Sequence, residues 1–114
     1  MKENIIRDKS FQFAIKSIDL YKELVENKEF VLSKQFLRSA TSIGANMEEA
    51  TAGVSKKDFV NKIAISSKEA RESFYWLRLI EYYNQDLDLR NLKSDCEELI
   101  KILTKFIKTS QENI

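Results

Sequence analysis

The chain has 114 residues, of which 43% are hydrophobic and 32% charged, and its 19 basic and 18 acidic residues leave a formal net charge of +1. This length is typical of one domain, and the near-neutral charge gives no global attraction to nucleic acid or to a membrane surface. The chain contains no histidine and only one cysteine, Cys96. An intramolecular disulfide and a Ser–His–Asp triad are therefore excluded, and too few ligands remain for zinc or iron–sulfur sites.

Neither a membrane span nor a signal peptide is predicted. No apolar run approaches the roughly 20 residues of a spanning helix, and the N-terminus MKENIIRDKS lacks a hydrophobic h-region. We therefore expect a cytoplasmic protein without a metal, a cofactor or a small-molecule substrate. Because the chain has no proline and only two glycines, it also lacks the turn residues of an all-β fold. An all-α protein is expected.

Helix one is predicted over about residues 8–27, where apolar residues recur at helical spacing. At about 100° of rotation per residue, these residues form two strips on different sides of the helix. One strip consists of Phe11, Ala14, Ile18, Tyr21 and Val25, and the other of Phe13, Leu20 and Leu24. Burial on more than one side of this helix is therefore expected.

Helix two is predicted over residues 31–52, with apolar residues Leu32, Phe36, Ile43, Met47 and Ala50 on one side. Beside them runs a set of residues that we call the polar stripe: Gln35, Arg38, Ser39, Ser42, Asn46 and Glu49. A third side carries Thr41, Gly44 and Ala45, which are small enough for close helix approach. An unpaired buried polar group is costly and so discriminates against wrong packings. We therefore interpret the polar stripe, together with Glu69, as specifying the oligomer.

Gly53 is the expected residue after helix two, in a left-handed conformation that ends the helix. Ser55 and Asp58 then form a pair resembling a capping box, which marks the start of another helix. A helix end followed at once by a helix start predicts a helical hairpin, with helices two and three as antiparallel neighbours.

Helix three is predicted over residues 56–83 and is apolar nearly all round. Phe59, Ile63, Ala70, Phe74 and Leu77 form one strip, Ile65, Trp76, Leu79 and Tyr83 a second, and Ala64, Tyr75 and Tyr82 a third. A helix of this kind must be covered nearly all round, and a chain of this length has too little protein to do so. We therefore expect self-association, with Ile65, Trp76, Leu79 and Tyr83 in the interface.

Helix four is predicted over residues 89–108, with Asp88 as its N-cap. One side is apolar and consists of Leu92, Cys96, Leu99, Ile100, Leu103, Phe106 and Ile107. Cys96 among these residues is interpreted as a buried structural thiol. With short connections, the helices predict one domain over residues 1–114, an oligomeric, antiparallel, up-down-up-down four-helix bundle.

The charged residues leave two questions open. Glu48, Glu49, Glu69 and Glu72 suggest ion pairs, for example Glu49 with Arg38 or Lys62, because the Glu-x-x-His pairs of a dimetal bundle are absent. The segment between Lys34 and Met47 contains no acidic residue. Exposed basic residues there and at the start of helix three are candidates for phosphate contacts, the alternative being a solvated charged surface. The candidates are Lys34, Arg38, Lys56, Lys57 and Lys62.

The segment LRSATSIGANMEEATAGVSKKDFVNKIAISSKEARESFYWLRLI resembles a family of small four-helix-bundle proteins encoded in intervening sequences of bacterial 23S ribosomal RNA genes. The resemblance is carried by three groups of residues: Arg38, Ser39, Ser42, Ile43, Asn46, Glu48, Glu49 and Ala50; Asp58, Phe59, Lys62 and Ala64; and Lys68, Glu69, Ala70, Glu72, Tyr75, Trp76 and Leu77. It implies a homo-oligomer, expected to be a pentameric ring, and no enzymatic activity. The related accessory variability protein of diversity-generating retroelements has the same architecture, a basic surface and nucleic-acid binding.

Residues and resemblance together favour a non-enzymatic, homo-oligomeric bundle that binds structured RNA or DNA weakly. The alternative is a structural or protein–protein interaction module that binds no nucleic acid.

Overall fold

The computed structural model describes residues 2–53 and 55–112. Within these ranges the chain forms four α-helices and no strand: α1 Lys2–Glu26, α2 Leu32–Thr51, α3 Lys56–Tyr83 and α4 Arg90–Glu112. Consecutive helices pack side by side and α1 also contacts α4, whereas the α1–α3 and α2–α4 pairs have no Cα atoms within 8 Å of each other. The four helices therefore form a square in cross-section, in a bundle 47 Å long. The predicted four-helix bundle is confirmed.

The helix bounds agree with the sequence prediction for α3 and differ from it at two other ends. Helix α1 begins at Lys2 rather than near residue 8, and α4 continues to Glu112 rather than ending near residue 108. Ile6, on the added part of α1, is completely buried. The extra turn and a half of α1 therefore contributes to the core, a contribution that the short apolar pair Ile5–Ile6 did not reveal in the sequence.

The core consists of the apolar strips that helical spacing predicts. Phe13, Leu20 and Leu24 of α1 are buried, and Phe36, Ile43 and Met47 of α2 pack in the same cluster. The other two helices contribute Ile63, Ala70, Leu77, Ile80, Cys96, Leu99 and Leu103. The first strip of α1 behaves differently, because Phe11 and Ile18 are exposed. The prediction that α1 is buried on two sides therefore does not hold within a single chain.

The connection between α1 and α2 contains the only left-handed non-glycine residue in the described part of the chain, Lys28, with φ of 64°. The N–H groups of Lys28 and Glu29 donate to Val25 O and Leu24 O at 2.9 Å each, a Schellman-type helix end. The carboxylate of Glu29 then turns to the next helix and accepts from the backbone N–H groups of Val31, Leu32 and Ser33. Glu29 thus caps α2 from outside the helix.

The α2–α3 connection differs in part from its prediction. Ser55 is the N-cap of α3 and its Oγ accepts from Asp58 N at 3.1 Å, as the Ser55–Asp58 spacing predicts. The left-handed conformation predicted for Gly53 is wrong, because no glycine in the described ranges has a positive φ. Instead α2 ends in tight turns, with Ala52 N donating to Glu49 O and Gly53 N to Ala50 O. Such three-residue bonds satisfy the last carbonyls without a left-handed residue.

Small residues allow the helices to approach closely on both sides of α2. Toward α1, a methyl group added to Gly44 would lie 3.4 Å from the buried Ser10 Oγ. Toward α3, the buried Ser66 Oγ donates to Ile43 O at 2.8 Å, and the Ser73 and Ser39 hydroxyl oxygens are 2.9 Å apart. The Ser10–Gly44 and Ser66–Ile43 contacts set the relative height of α1, α2 and α3, because Gly44 and Ile43 are neighbouring residues of α2.

Candidate interaction surfaces

The polar stripe lies along the seam between α2 and α3 and is bonded within the chain. Ser39 is buried against Ser73, Ser42 Oγ donates to Arg38 O, and Asn46 Nδ2 donates to Ser42 O at 2.8 Å. Gln35 is exposed at the outer end of the stripe. Ser39 is thus bonded across the seam to α3, whereas Ser42 and Asn46 are bonded to backbone carbonyls of α2 itself. The role of the stripe in oligomer specificity stays a prediction.

Arg38 is the centre of an ionic cluster on this seam. Its guanidinium lies 3.3 Å from Glu69 Oε2 and also pairs with Glu72, whose carboxylate accepts from Trp76 Nε1 at 3.0 Å. The Trp76 bond and then the Arg38 bonds and charge lower the pKa of Glu72. Glu69 is the more shielded carboxylate, with a side chain 18% exposed. This arrangement ties α2 to α3 through a cation between two anions.

Glu49 pairs with Lys62, across the same hairpin, at 3.0 Å. Of the two partners that the sequence offered for Glu49, the structure therefore selects Lys62, and Arg38 pairs about two to three turns further along α3. Exposed pairs of this kind contribute about 0.2–1 kcal/mol each. Their larger effect here is to neutralise two of the five basic residues that were predicted to contact nucleic acid.

The five predicted basic residues do not form one patch. Lys34 lies in the first turn of α2, while Lys56 and Lys57 lie in the first turn of its antiparallel neighbour α3. At about 1.5 Å of rise per residue, most of the length of the hairpin separates them. Arg38 and Lys62 lie between these ends and are ion-paired. Lys34, Lys56 and Lys57 are exposed.

A basic end of the bundle emerges that the sequence prediction missed. Lys56 and Lys105 line the same open cavity of about 380 Å³, between the start of α3 and the last turns of α4. Ile5, Phe59, Ile102 and Phe106 form its apolar wall. From Leu99 to Gln111, α4 contains three exposed lysines and no acidic residue. We define the basic end as Lys56, Lys57, Lys101, Lys105 and Lys108. The acid-free run in α4 was the signal that could have revealed it.

Two apolar surfaces face away from the core on diagonally opposite helices. The α1 outer face consists of Phe11, Ile15 and Ile18, which are 61%, 41% and 40% exposed. The α3 outer face consists of Ile65, Tyr75, Leu79, Tyr82 and Tyr83, of which Tyr82 is 81% exposed. Of the predicted interface residues, Ile65 and Tyr83 are exposed, and Trp76 and Leu79 are half-buried. Large apolar patches on a protein surface mark interaction sites.

Cys96 lies in the core, as the sequence predicts. Cys96 is buried, its Sγ donates to Ala70 O at 3.2 Å, and burial raises the pKa of the thiol to about 12. The described side chains include no group of three or more Asp, Glu, Cys or His residues that could hold a metal ion. Among the described helices, none has the length and hydropathy needed to cross a bilayer.

Four helices packed in a square, with ion-paired seams, a basic end and two outward apolar faces, make this chain a four-helix-bundle protein. Residues 2–105 match the family model for the 23S rRNA-intervening sequence protein. The chain belongs to this family, which confirms the resemblance carried by the segment from Leu37 to Ile80.

A solved structure supports the same assignment. The chain is 47% identical to a protein of unknown function from the S23 ribosomal protein family of Bacteroides thetaiotaomicron VPI-5482, known from a crystal structure at 1.70 Å resolution. The match covers 95% of this chain and 99% of that one, with a TM-score of 0.90. A comparison with curated proteins gives no match.

Proposed function

We propose that this protein is a non-enzymatic, homo-oligomeric bundle whose assembled form binds structured RNA weakly. The observation that carries the self-association is the pair of outward apolar faces on α1 and α3. Tyr82, Phe11 and Tyr75 are each at least half exposed. A monomeric four-helix bundle rarely exposes large apolar residues on two opposite sides. The pentameric ring expected for relatives is one assembly that would cover both faces.

The basic end supports the RNA-binding part of the proposal. Its lysines come from two helices that meet at one end of the bundle, and Lys56 and Lys105 border the same cavity. The family is linked to 23S rRNA intervening sequences, which makes structured ribosomal RNA the first probe to test. We place the phosphate contacts at Lys56, Lys57 and Lys105, with Lys34 as an outlying contact. Arg38 and Lys62 contribute less because they lie along the middle of the hairpin, outside the basic end.

Weak binding follows from the charge balance. Each lysine–phosphate contact releases counterions and steepens the fall of log K with log salt by about 0.9 for a duplex. A contact set of about three lysines per chain, on a protein with net charge +1, gives a shallow salt dependence and an affinity that disappears at high salt. DNA of the same charge density would bind by the same contacts, and its relative affinity is an outcome of the test.

A mobility-shift titration with structured RNA at two salt concentrations tests this proposal. The double variant Lys56→Glu/Lys57→Glu should abolish binding at low salt. Lys28→Glu is the matched control, because Lys28 is exposed at the opposite end of the bundle. Equal binding by the wild type and the double variant, or no binding by the wild type at low salt, would contradict the RNA-binding part.

The alternative is a protein–protein interaction module without nucleic-acid binding. The pairing of Arg38 and Lys62 favours it, because the middle of the hairpin then has no net positive charge. Assembly in light scattering without any RNA shift would select this alternative. A monomer at micromolar concentration would contradict the self-association on which both functions depend.

A further inference from the structure

We propose that copies of this chain join head to tail, with the α1 outer face of one copy against the α3 outer face of the next. This inference rests on the proposed self-association and names its interface. The two faces lie on α1 and α3, one of the two diagonal pairs of helices in the square bundle, and each of these helices packs only on α2 and α4. They therefore point in opposite directions, and one copy cannot offer both faces to the same partner.

Position along the bundle makes the two faces compatible. Helices α1 and α3 run in the same direction, since each is antiparallel to α2. Ser10 lies against Gly44, and Ser66 bonds to Ile43 O, so Ser10 and Ser66 are at about the same height. Phe11–Ile18 therefore covers the same levels as the segment from Ser67 to Phe74, within a turn of Ile65 and Tyr75. Two copies placed side by side at equal height bring the α1 outer face against Ile65 and Tyr75, while Leu79, Tyr82 and Tyr83 lie higher, level with about residues 23–27 of α1.

Charge at the edges of the faces is complementary. Asp19 lies on the side of α1 toward α4, where it borders a cavity with Leu92, and Glu26 lies two turns further along the same edge. Arg71 lies on the side of α3 toward α4, where it donates to Thr104 Oγ1 at 3.2 Å, and Arg78 again lies two turns further along. Asp19, Glu26 and Arg78 are exposed and form no ion pair among the described residues.

The acidic and the basic edge face each other when copies dock without turning over. Both edges are on the α4 side of the bundle, and the equal spacing of seven residues places both pairs in register. At equal height, Asp19 lies about one helical turn, or about 5.4 Å of rise, above Arg71, and Glu26 lies the same distance above Arg78. An isologous, antiparallel contact between two α1 faces would instead bring the acidic edges of the two copies together. Like charges at an interface disfavour that arrangement.

This geometry has a consequence for the symmetry of the assembly. A contact between two different surfaces is heterologous, so it repeats from copy to copy until it closes into a ring or grows as an open chain. Each copy uses one α1 face and one α3 face. Blocking either face leaves the copy with a single usable surface, and this property separates the proposed pairing from a two-fold dimer.

Two variants test the pairing. In Phe11→Glu/Ile18→Glu the α1 face is blocked, and in Tyr75→Glu/Tyr82→Glu the α3 face is blocked. All four residues are at least 40% exposed, so the variants should fold, which circular dichroism checks. In analytical ultracentrifugation at micromolar concentration, each variant alone should be a monomer. An equimolar mixture should form a one-to-one heterodimer and nothing larger.

The outcomes separate this inference from the proposed function. A monomeric wild type would overturn the self-association itself. A wild-type oligomer whose blocked variants still dimerise alone, or whose mixture stays monomeric, would overturn only the α1–α3 pairing.

Charge exchange is a second measurement. Asp19→Arg/Glu26→Arg should weaken assembly at least tenfold in dissociation constant, and adding Arg71→Glu/Arg78→Glu should restore it. Failure of this restoration would show that the charged edges do not meet.

Discussion

Replacing Glu29 with alanine should destabilise the protein far more than its position in a connection suggests. The Glu29 carboxylate accepts from the N–H groups of Val31 at 3.2 Å, Leu32 at 3.1 Å and Ser33 at 2.7 Å. Ser33 is completely buried, whereas Val31 is 70% exposed. Water can replace the carboxylate at Val31 but not at Ser33, so most of the effect should come from the Ser33 N–H.

The expected loss in unfolding free energy is about 2 kcal/mol, since loss of a cap costs about 0.5–2 kcal/mol and a buried donor without a partner about 1–3 kcal/mol. Urea unfolding followed by circular dichroism measures it. At an m-value of about 2 kcal/mol/M, the midpoint should fall by about 1 M. All variants must be compared at one protomer concentration, because assembly stabilises the folded chain by mass action.

Two further variants sharpen the result. Glu29→Gln keeps one acceptor oxygen and loses the charge, so its midpoint should lie between those of the wild type and Glu29→Ala. Glu23→Ala removes an exposed carboxylate from the same end of α1, and its midpoint should stay within about 0.5 kcal/mol of the wild type. Equal midpoints for Glu29→Ala and Glu23→Ala would refute the capping role.

For three more experiments, two on the free energy of unfolding and one on the reactivity of Cys96, the structure determines the direction of the effect. Lys28→Gly should raise the unfolding free energy by about 0.5–1 kcal/mol, because a residue with a side chain is strained at φ of 64° and glycine is not. An unchanged urea midpoint would argue against this strain. Gly44→Ala should also raise it, by up to about 1 kcal/mol, since the new methyl meets Ser10 Oγ at an ordinary 3.4 Å, while Gly44→Leu should lower it. Cys96 should resist iodoacetamide at pH 8 until urea unfolds the chain, because burial raises the pKa of its thiol to about 12; rapid labelling of the folded protein would contradict this.

Local patterns in the sequence predicted the core and the α3 boundaries. Phe13, Phe36 and Ile63 follow helical spacing, and Ser55 with Asp58 marks a helix start through contacts only three residues apart. The Glu29 cap and the left-handed Lys28 escaped prediction because both depend on the path of the chain between two packed helices. Glutamate and lysine carry no intrinsic preference that announces such roles.

The basic surface was harder to predict because pairing is a tertiary property. Arg38 is compensated by Glu69 and Glu72, which lie on the next helix and more than 30 residues away in the sequence. An acid-free stretch of sequence therefore did not become an acid-free surface. The lysines near the end of α4 are far from Lys56 in the sequence, so their common surface was not predicted. Folding brings Lys105 to the same cavity as Lys56.

The common direction of α1 and α3 determines how a weak nucleic-acid site would behave in an assembly. Copies joined through these two helices all point the same way, so every basic end lies on one side of the assembly. An RNA that engages one end then meets the others at high effective concentration, and avidity can exceed the affinity of a single site by about 10²–10⁴-fold. A chain that is nearly neutral by itself could thus present a multivalent basic platform on one side of the assembly.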